Sequence, residues 1–195
     1  TMDLVMSFGE RFSSFIMTEL LTQSGVASEL VDTRGIIQTD SNFGNARVDF
    51  KKTDKAIRQH FDSVKQTQVF TGFIASTNKG ETTTLGRGGS DYTAAIIGAA
   101  LGVEIVEIWT DVDGVMTADP KKVKQAFTLP AISYIEAMEI SHFGAKVIYP
   151  PTLQPLFNKK IPIAIKNTFN AENAGTLISE KTVKDSFMIK GVTSI

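Results

Sequence analysis

Thr82-Thr83-Thr84-Leu85-Gly86-Arg87-Gly88-Gly89-Ser90-Asp91 runs directly into Tyr92-Thr93-Ala94-Ala95-Ile96-Ile97-Gly98-Ala99-Ala100-Leu101-Gly102. Three glycines and an arginine lead to a serine that can cap a helix. Tyr92, Ala95, Ile96, Ala99 and Ala100 then recur with helical spacing as far as Gly102, where the helix should stop. Its small residues suit close packing on a sheet. The N-terminus of such a helix offers backbone N–H groups and the positive end of a dipole to an anion. The glycines let backbone approach that anion, and Arg87 can grip a carboxylate or phosphate through two parallel hydrogen bonds. The stretch reads as a loop that handles an oxyanion; the blander alternative is a plain turn before a helix. No Gly-Lys-Ser/Thr follows the glycines, and the spacing is not that of a dinucleotide fingerprint.

Outward from this loop, strands alternate with helices. On the C-terminal side, Val103 to Asp111 reads as a mostly buried strand ending in two polar residues, followed by a turn-rich loop to Pro120. Ser133-Tyr134-Ile135-Glu136 has capping-box spacing and opens a helix to about Phe143, with Ile135 and Met138 inward. Pro151 can open a short helix carrying Leu153, Leu156 and Phe157. Ile161 to Ile165 and Gly175 to Ile178 are short strands. On the N-terminal side, Gln68 to Ala75 reads as one strand, with Gly72 marking a close backbone approach. A helix from about Lys55 to Lys65 and an irregular stretch from Thr33 to Phe50 precede it. Val26 to Asp32 is a short strand. Before that, Ser7-Phe8-Gly9-Glu10 has capping-box spacing for a helix with Phe12, Phe15, Ile16 and Leu20 on its inward face, ended by Gly25. This alternation predicts an α/β fold with a largely parallel sheet covered on both faces, whose ligands gather at the strand C-terminal ends. Gly72-Phe73, Thr110-Asp111 and the central loop all fall at such ends.

A chain of 195 residues with a net charge of −1 gives no reason to expect a nucleic acid or an acidic membrane as partner. With no cysteine there is no disulfide framework or thiolate metal site, and two separated histidines, His60 and His142, make no ligand cluster. The longest apolar run, Ala94 to Val103, is too short to cross a bilayer. A cytoplasmic enzyme acting on a small molecule is the expectation.

Chemistry on an oxyanion asks for positioning and charge neutralisation, hence basic groups, backbone donors and a carboxylate. Arg87, the Gly88-Gly89 backbone, Asp91 and Lys146 are candidates for those parts. The residues alone leave second readings open: Glu10 as a capping-box partner, Asp111 as a turn cap, and Lys146 as a solvated loop lysine.

Several motifs in order resemble those of aspartate kinases in the amino acid kinase family, over nearly the whole chain. Thr82 to Asp91, read with Tyr92-Thr93-Ala94, is similar to the family's signature. Ser7-Phe8-Gly9-Glu10-Arg11 resembles its glutamate-bearing helix, which implies that Glu10 meets the amino group of L-aspartate. Gly72-Phe73-Ile74 resembles the segment beside the substrate. The match at Arg87 implies a grip on a substrate carboxylate, and at Asp91 a role organising the active-site lysines. Gly88, Gly89 and Ser90 fall in the phosphate-facing turn. Trp109 to Gly114 is similar to the nucleotide segment, placing Thr110 and Asp111 by the adenosine half of ATP, with Met116 and Lys121 beyond them. Phe143-Gly144-Ala145-Lys146-Val147 matches the second lysine motif, which implies that Lys146 stabilises the phosphoryl group and that Val147 lies against the nucleotide. Some family members have tyrosine where Met116 stands and arginine where Lys121 stands, so stacking and bidentate phosphate contact are not carried over.

The resemblance implies a three-layer αβα sandwich with a mainly parallel central sheet, spanning residues 1–179. Residues 180–195 resemble a linker and the first strand of a regulatory ACT domain. The junction is most similar to fused aspartate kinase–homoserine dehydrogenases. The family opens with a strand ending in Lys-Phe-Gly-Gly-Thr-Ser, which does not occur here. The chain is therefore expected to be a catalytic-domain fragment with little or no kinase activity alone. The implied reaction is ATP-dependent phosphorylation of the aspartate side-chain carboxylate, towards lysine, threonine and methionine. Mg²⁺ is expected on the phosphates rather than in a protein cage, and the full-length protein is expected to be a homo-oligomer. The rival readings are a relative with another substrate and a non-catalytic assembly module.

Overall fold

The computed structural model describes residues 2–118, 121–142 and 149–180, which form two compact units, 1–101 and 102–195. In the first, α1 (Met2–Gln23) leads into β1 (Ser28–Val31), a 3₁₀ turn at Thr33–Gly35 and β2 (Gln38–Thr39). Then come α2 (Phe50–Phe61), β3 (Thr67–Phe70), β4 (Ile74–Thr77), β5 (Thr82–Thr84) and α3 (Gly89–Leu101). β1 pairs with β3 in parallel; β2 pairs in parallel with β4, which pairs antiparallel with β5. Ile37, Ile57, Ala75, Leu85, Ile96 and Ala100 form its core.

The second unit carries β6 (Val106–Thr110), β7 (Ala131–Ser133), α4 (Tyr134–His142), α5 (Pro150–Lys159), β8 (Ile163–Asn167) and β9 (Thr176–Ser179). Its sheet has the order β6-β8-β9-β7, parallel except for β8 with β9. Ile132, Ile163, Ile165 and Ile178 are fully buried, as is Leu156 of α5. The chain is α/β, with the parallel pairings its alternating pattern predicts.

Helix α1 departs most from expectation. It starts five residues before Ser7, so Ser7 and Glu10 lie inside the helix and form no capping box. The Ser7 hydroxyl instead donates to the Leu4 carbonyl of its own helix at 2.7 Å. The inward face is also the opposite one. Asp3, Ser7, Ser14 and Thr18 are buried, while Phe12 is 63% exposed and Phe15, Ile16 and Leu20 are each more than half exposed. The buried stripe is polar because it meets backbone: Ser14 Oγ donates to the Phe70 carbonyl, and Asp3 accepts from Gly44 and Thr84. Buried polar groups satisfied in this way can outcompete an apolar stripe for the interior. The C-terminus follows expectation, with Gly25 at φ +86° and Val26 N–H donating to the Leu21 carbonyl.

The single strand read over Gln68–Ala75 is two strands in different sheets. The chain turns at Thr71–Phe73, where Thr33 holds it: its Oγ1 donates to the carbonyls of Thr71 and Ile74, each at 2.7 Å. Ser90 lies in the first turn of α3 rather than capping it, since the helix opens at Gly89. Thr82–Thr84 is a strand, not loop. Strand β6 is half exposed rather than mostly buried. It ends the sheet order, and its outward Glu107 pairs with Lys166 of β8 at 2.6 Å. The second capping box is real: Glu136 N–H donates to Ser133 Oγ, and Ser133 N–H donates to the Glu136 carboxylate. Ile135, however, faces outward, because Tyr134 and Ala137 fill the inner face. Phe143, Lys146, Val147 and the stretch from Lys181 onward lie outside the described residues.

Candidate active site

The first unit contains an open cleft of about 350 Å³ lined by Glu10 of α1, Phe73, Gly86, Gly88 and the opening residues of α3, Gly89, Ser90 and Asp91. Three segments remote in sequence meet there. Helix α1 supplies the carboxylate, the turn between β3 and β4 supplies Gly72 and Phe73, and the loop after β5 supplies the glycines around exposed Arg87.

Packing at the meeting point is close enough to dictate residue types. A Cβ on Gly72 would lie 2.9 Å from Ser90 Oγ, and one on Gly89 would lie 2.6 Å from Phe73 Cδ2 and 3.2 Å from Phe73 Cα. Both positions therefore require glycine for the turn to rest on the start of α3. Phe73 has φ +68°, a conformation that costs a non-glycine residue about 1 kcal/mol. It is held by its N–H donating to Thr93 Oγ1 at 3.0 Å and by its carbonyl accepting from Leu85 N–H at 2.9 Å. Backbone strain held in place this way is often found at functional sites.

The Glu10 carboxylate accepts from the Ser90 hydroxyl and the Gly72 N–H, yet burial still holds its pKa above the ordinary glutamate value. Burial also raises Asp91, one helical step beyond Ser90 at the positive end of the α3 dipole. An ionised carboxylate kept in a desolvated wall is poised to meet a cation such as an ammonium group. Gly86, Gly88 and the α3 opening present backbone beside it, where an anionic group would be stabilised. The site can thus receive a molecule carrying both charges.

The second unit holds another set. Thr110 ends β6, where it pairs with Asn167 of β8, and Asp111 follows it. The Thr110 hydroxyl meets Asp111 Oδ1 at 3.2 Å. Asp113 braces this end by accepting from Asn167 Nδ2 at 2.8 Å and Asn170 Nδ2 at 3.1 Å. Met116 is half-buried and bridges to Thr128; Lys121 is exposed.

The structure therefore brings Glu10, Gly72, Phe73, Gly88, Gly89, Ser90 and Asp91 together around the Arg87 loop, and places Thr110 and Asp111 at the end of β6. Lys146 and Val147 lie outside the described residues. Ser90 was expected on the phosphate side, and its hydroxyl bonds Glu10. Sequence reasoning missed Thr93, Asp113 and Asn167, which support the sites. Only the crowding of Asp, Val, Asp and Gly at 111–114 hints at one of them.

Residues 1–167 match the amino acid kinase family. A bifunctional aspartokinase/homoserine dehydrogenase of Buchnera aphidicola is 40% identical over 193 residues, covering 98% of this chain and 24% of that protein. The lysine-sensitive aspartokinase 3 of Escherichia coli is 41% identical over 182 residues, covering 92% of this chain and 40% of that one. Among solved structures, E. coli aspartokinase III in complex with aspartate and ADP superposes with a TM-score of 0.89 at 38% identity, over 93% of this chain and 41% of that one. The chain spans less than half the length of these relatives.

Proposed function

The chain belongs to the amino acid kinase family, and on that premise we propose that it is part of the catalytic domain of an aspartate kinase, transferring the γ-phosphoryl group of ATP to the side-chain carboxylate of L-aspartate. The observation that carries this reading is the Glu10 carboxylate set in one cleft with the glycine turn that bears Arg87. Glu10 meets the substrate ammonium while Arg87 takes a carboxylate, and the pair measures the length of the amino acid between them.

The acceptor is already an anion at neutral pH, so the step needs no general base. A carboxylate oxygen attacks the γ-phosphorus, the bond to the β,γ-bridging oxygen breaks, and the products are ADP and an acyl phosphate. What the protein must supply is neutralisation of charge and alignment. In this reading the Gly88-Gly89 backbone and the start of α3 face the phosphoryl group, and Asp91 orients basic side chains, with Lys146 among them. Thr110 and Asp111 hold the adenosine half, with Met116, Lys121 and Val147 near the nucleotide. Among the described residues no three carboxylates or imidazoles converge, so Mg²⁺ is assigned to the phosphate oxygens. Among them, too, no helix is long and apolar enough to cross a membrane. A cytoplasmic location, homo-oligomeric assembly of the parent, and a division into a kinase domain to residue 179 and a regulatory segment after it belong to the same reading.

Calorimetric titration tests it. The chain is expected to bind L-aspartate in preference to L-glutamate and UMP, and Arg87→Ala should weaken aspartate binding at least tenfold. Binding should also weaken as pH falls through the raised Glu10 pKa, because a neutral glutamic acid cannot pair with an ammonium group. Glu10→Gln should abolish both the affinity and its pH dependence. Equal affinity for all three ligands, or an Arg87→Ala variant that binds normally, refutes the assignment.

A further inference from the structure

Asp3 is 4% exposed, one of the most deeply buried carboxyl groups described in the first unit, and the chemistry above does not use it. It sits in the first turn of α1, and a single oxygen, Oδ2, accepts three hydrogen bonds. These come from Thr84 N–H at 2.7 Å, Thr84 Oγ1 at 3.1 Å and Gly44 N–H at 2.9 Å. Thr84 is the last residue of β5, immediately before Leu85-Gly86-Arg87. Gly44 belongs to the loop that backs this turn. Next to it, Ala46 N–H donates to the Thr84 carbonyl at 2.9 Å, and a Cβ on Gly86 would lie 2.5 Å from Asn45 Oδ1. One carboxylate thus joins the strand end to the loop that supports the glycine turn.

Seven residues further along the same helix, two turns or about 10 Å away, Glu10 accepts from Ser90 at the far end of that turn. Ser7, buried between them, satisfies itself within the helix. The face of α1 turned to the cleft therefore grips the segment 84–90 at both ends, through Asp3 at Thr84 and Glu10 at Ser90, with Arg87 midway.

We propose that Asp3 is a positioning residue that holds the near end of the Arg87 turn, so that Arg87 and Glu10 stand at the separation the substrate requires; this rests on the aspartate-kinase reading of the cleft. Charge-assisted bonds to backbone N–H groups are stronger than neutral ones, and a buried carboxylate with three donors fixes the backbone it touches. Asp3 touches no substrate. Its effect passes through Thr84.

The test compares Asp3→Ala, Asp3→Asn and Thr84→Val with the unaltered chain. Ile163→Val, a core change in β8 of the second unit, serves as reference for a purely structural loss. Two readouts are taken: L-aspartate affinity by calorimetry, and amide hydrogen exchange at residues 85–90 against α2. Asp3→Ala should weaken aspartate binding at least tenfold and speed exchange at 85–90 selectively. Asp3→Asn, which keeps an acceptor oxygen, should recover part of both. Ile163→Val should lower Tm with affinity unchanged. A folded Asp3→Ala that binds aspartate as the unaltered chain does overturns the proposal, as does unchanged exchange at 85–90. Should Asp3→Ala not fold, Asp3→Asn and Thr84→Val decide, and unaltered affinity in both overturns it. Should the unaltered chain bind no aspartate, the kinase reading fails instead. The exchange data then judge the clamp alone: selective loosening in Asp3→Ala upholds it and unchanged protection overturns it.

Discussion

Asp91 shows how a binding site is held against the preference of its own residues. Burial raises its pKa above the ordinary 3.8, so the folded chain binds that proton more tightly than the unfolded chain does. Its contribution to stability is therefore favourable at pH below the ordinary value and is lost as pH rises through the raised one. Asp91→Asn is expected to raise Tm at pH 7, and the gain should shrink as pH falls towards 3.8. Thermal unfolding across that range checks it, and a variant less stable than the original at pH 7 would contradict the sign. Gly89 makes the complementary point with no charge involved. An added methyl meets Phe73 at both ring and backbone, so Gly89→Ala should cost about 1–3 kcal/mol by overpacking and displace the strained turn from the cleft. Denaturant unfolding with a concurrent aspartate titration reads both effects. Neither residue could be weighed from sequence, because Asp91 acts through its burial in the fold and Gly89 through Phe73, 16 positions away.

Helix α1 was legible as a helix and misleading as a face. Its apolar residues and its small polar residues both recur at helical spacing, and periodicity alone does not say which stripe turns inward. The strands beneath it offered backbone carbonyls and N–H groups to Ser14 and Asp3, and that settled the orientation. Replacing both Phe12 and Ile16 by glutamate should change stability by no more than about 0.5 kcal/mol per site, as for ordinary surface positions. Ser14→Leu, conservative by hydropathy, should be the damaging change, because it crowds β3 and deletes a buried donor. Chemical denaturation of the two variants distinguishes the faces directly. The capping box of α4 went the other way: Ser133 and Glu136 were readable because both partners lie within four residues. Glu136→Ala should cost about 1 kcal/mol, measurable by the same method.

Over the whole chain the exposed stripe of α1 combines with a net charge of only −1 and an isoelectric point near 6.1. Self-association should peak near pH 6 and fall as the chain becomes more negative at higher pH, and the double glutamate variant should suppress it. Sedimentation velocity from about pH 5.5 to 8.5, at a constant ionic strength of about 0.15 M so that screening does not change across the series, is the check. What the sequence determined by itself was local or strongly patterned: the α/β alternation, the glycine turn before α3, the Gly25 stop, the Ser133 box, and the order of motifs that marks the family. Those features depend on contacts a few residues apart or on the identity of single letters. Tertiary structure alone decided the break of Gln68–Ala75 at Thr71–Phe73, the inward face of α1, the pairing of Glu10 with Ser90 and the burial of Asp3 against Thr84. Each of these is a hydrogen bond or a steric contact between segments tens of residues apart, made possible only once the sheets had placed their backbones side by side.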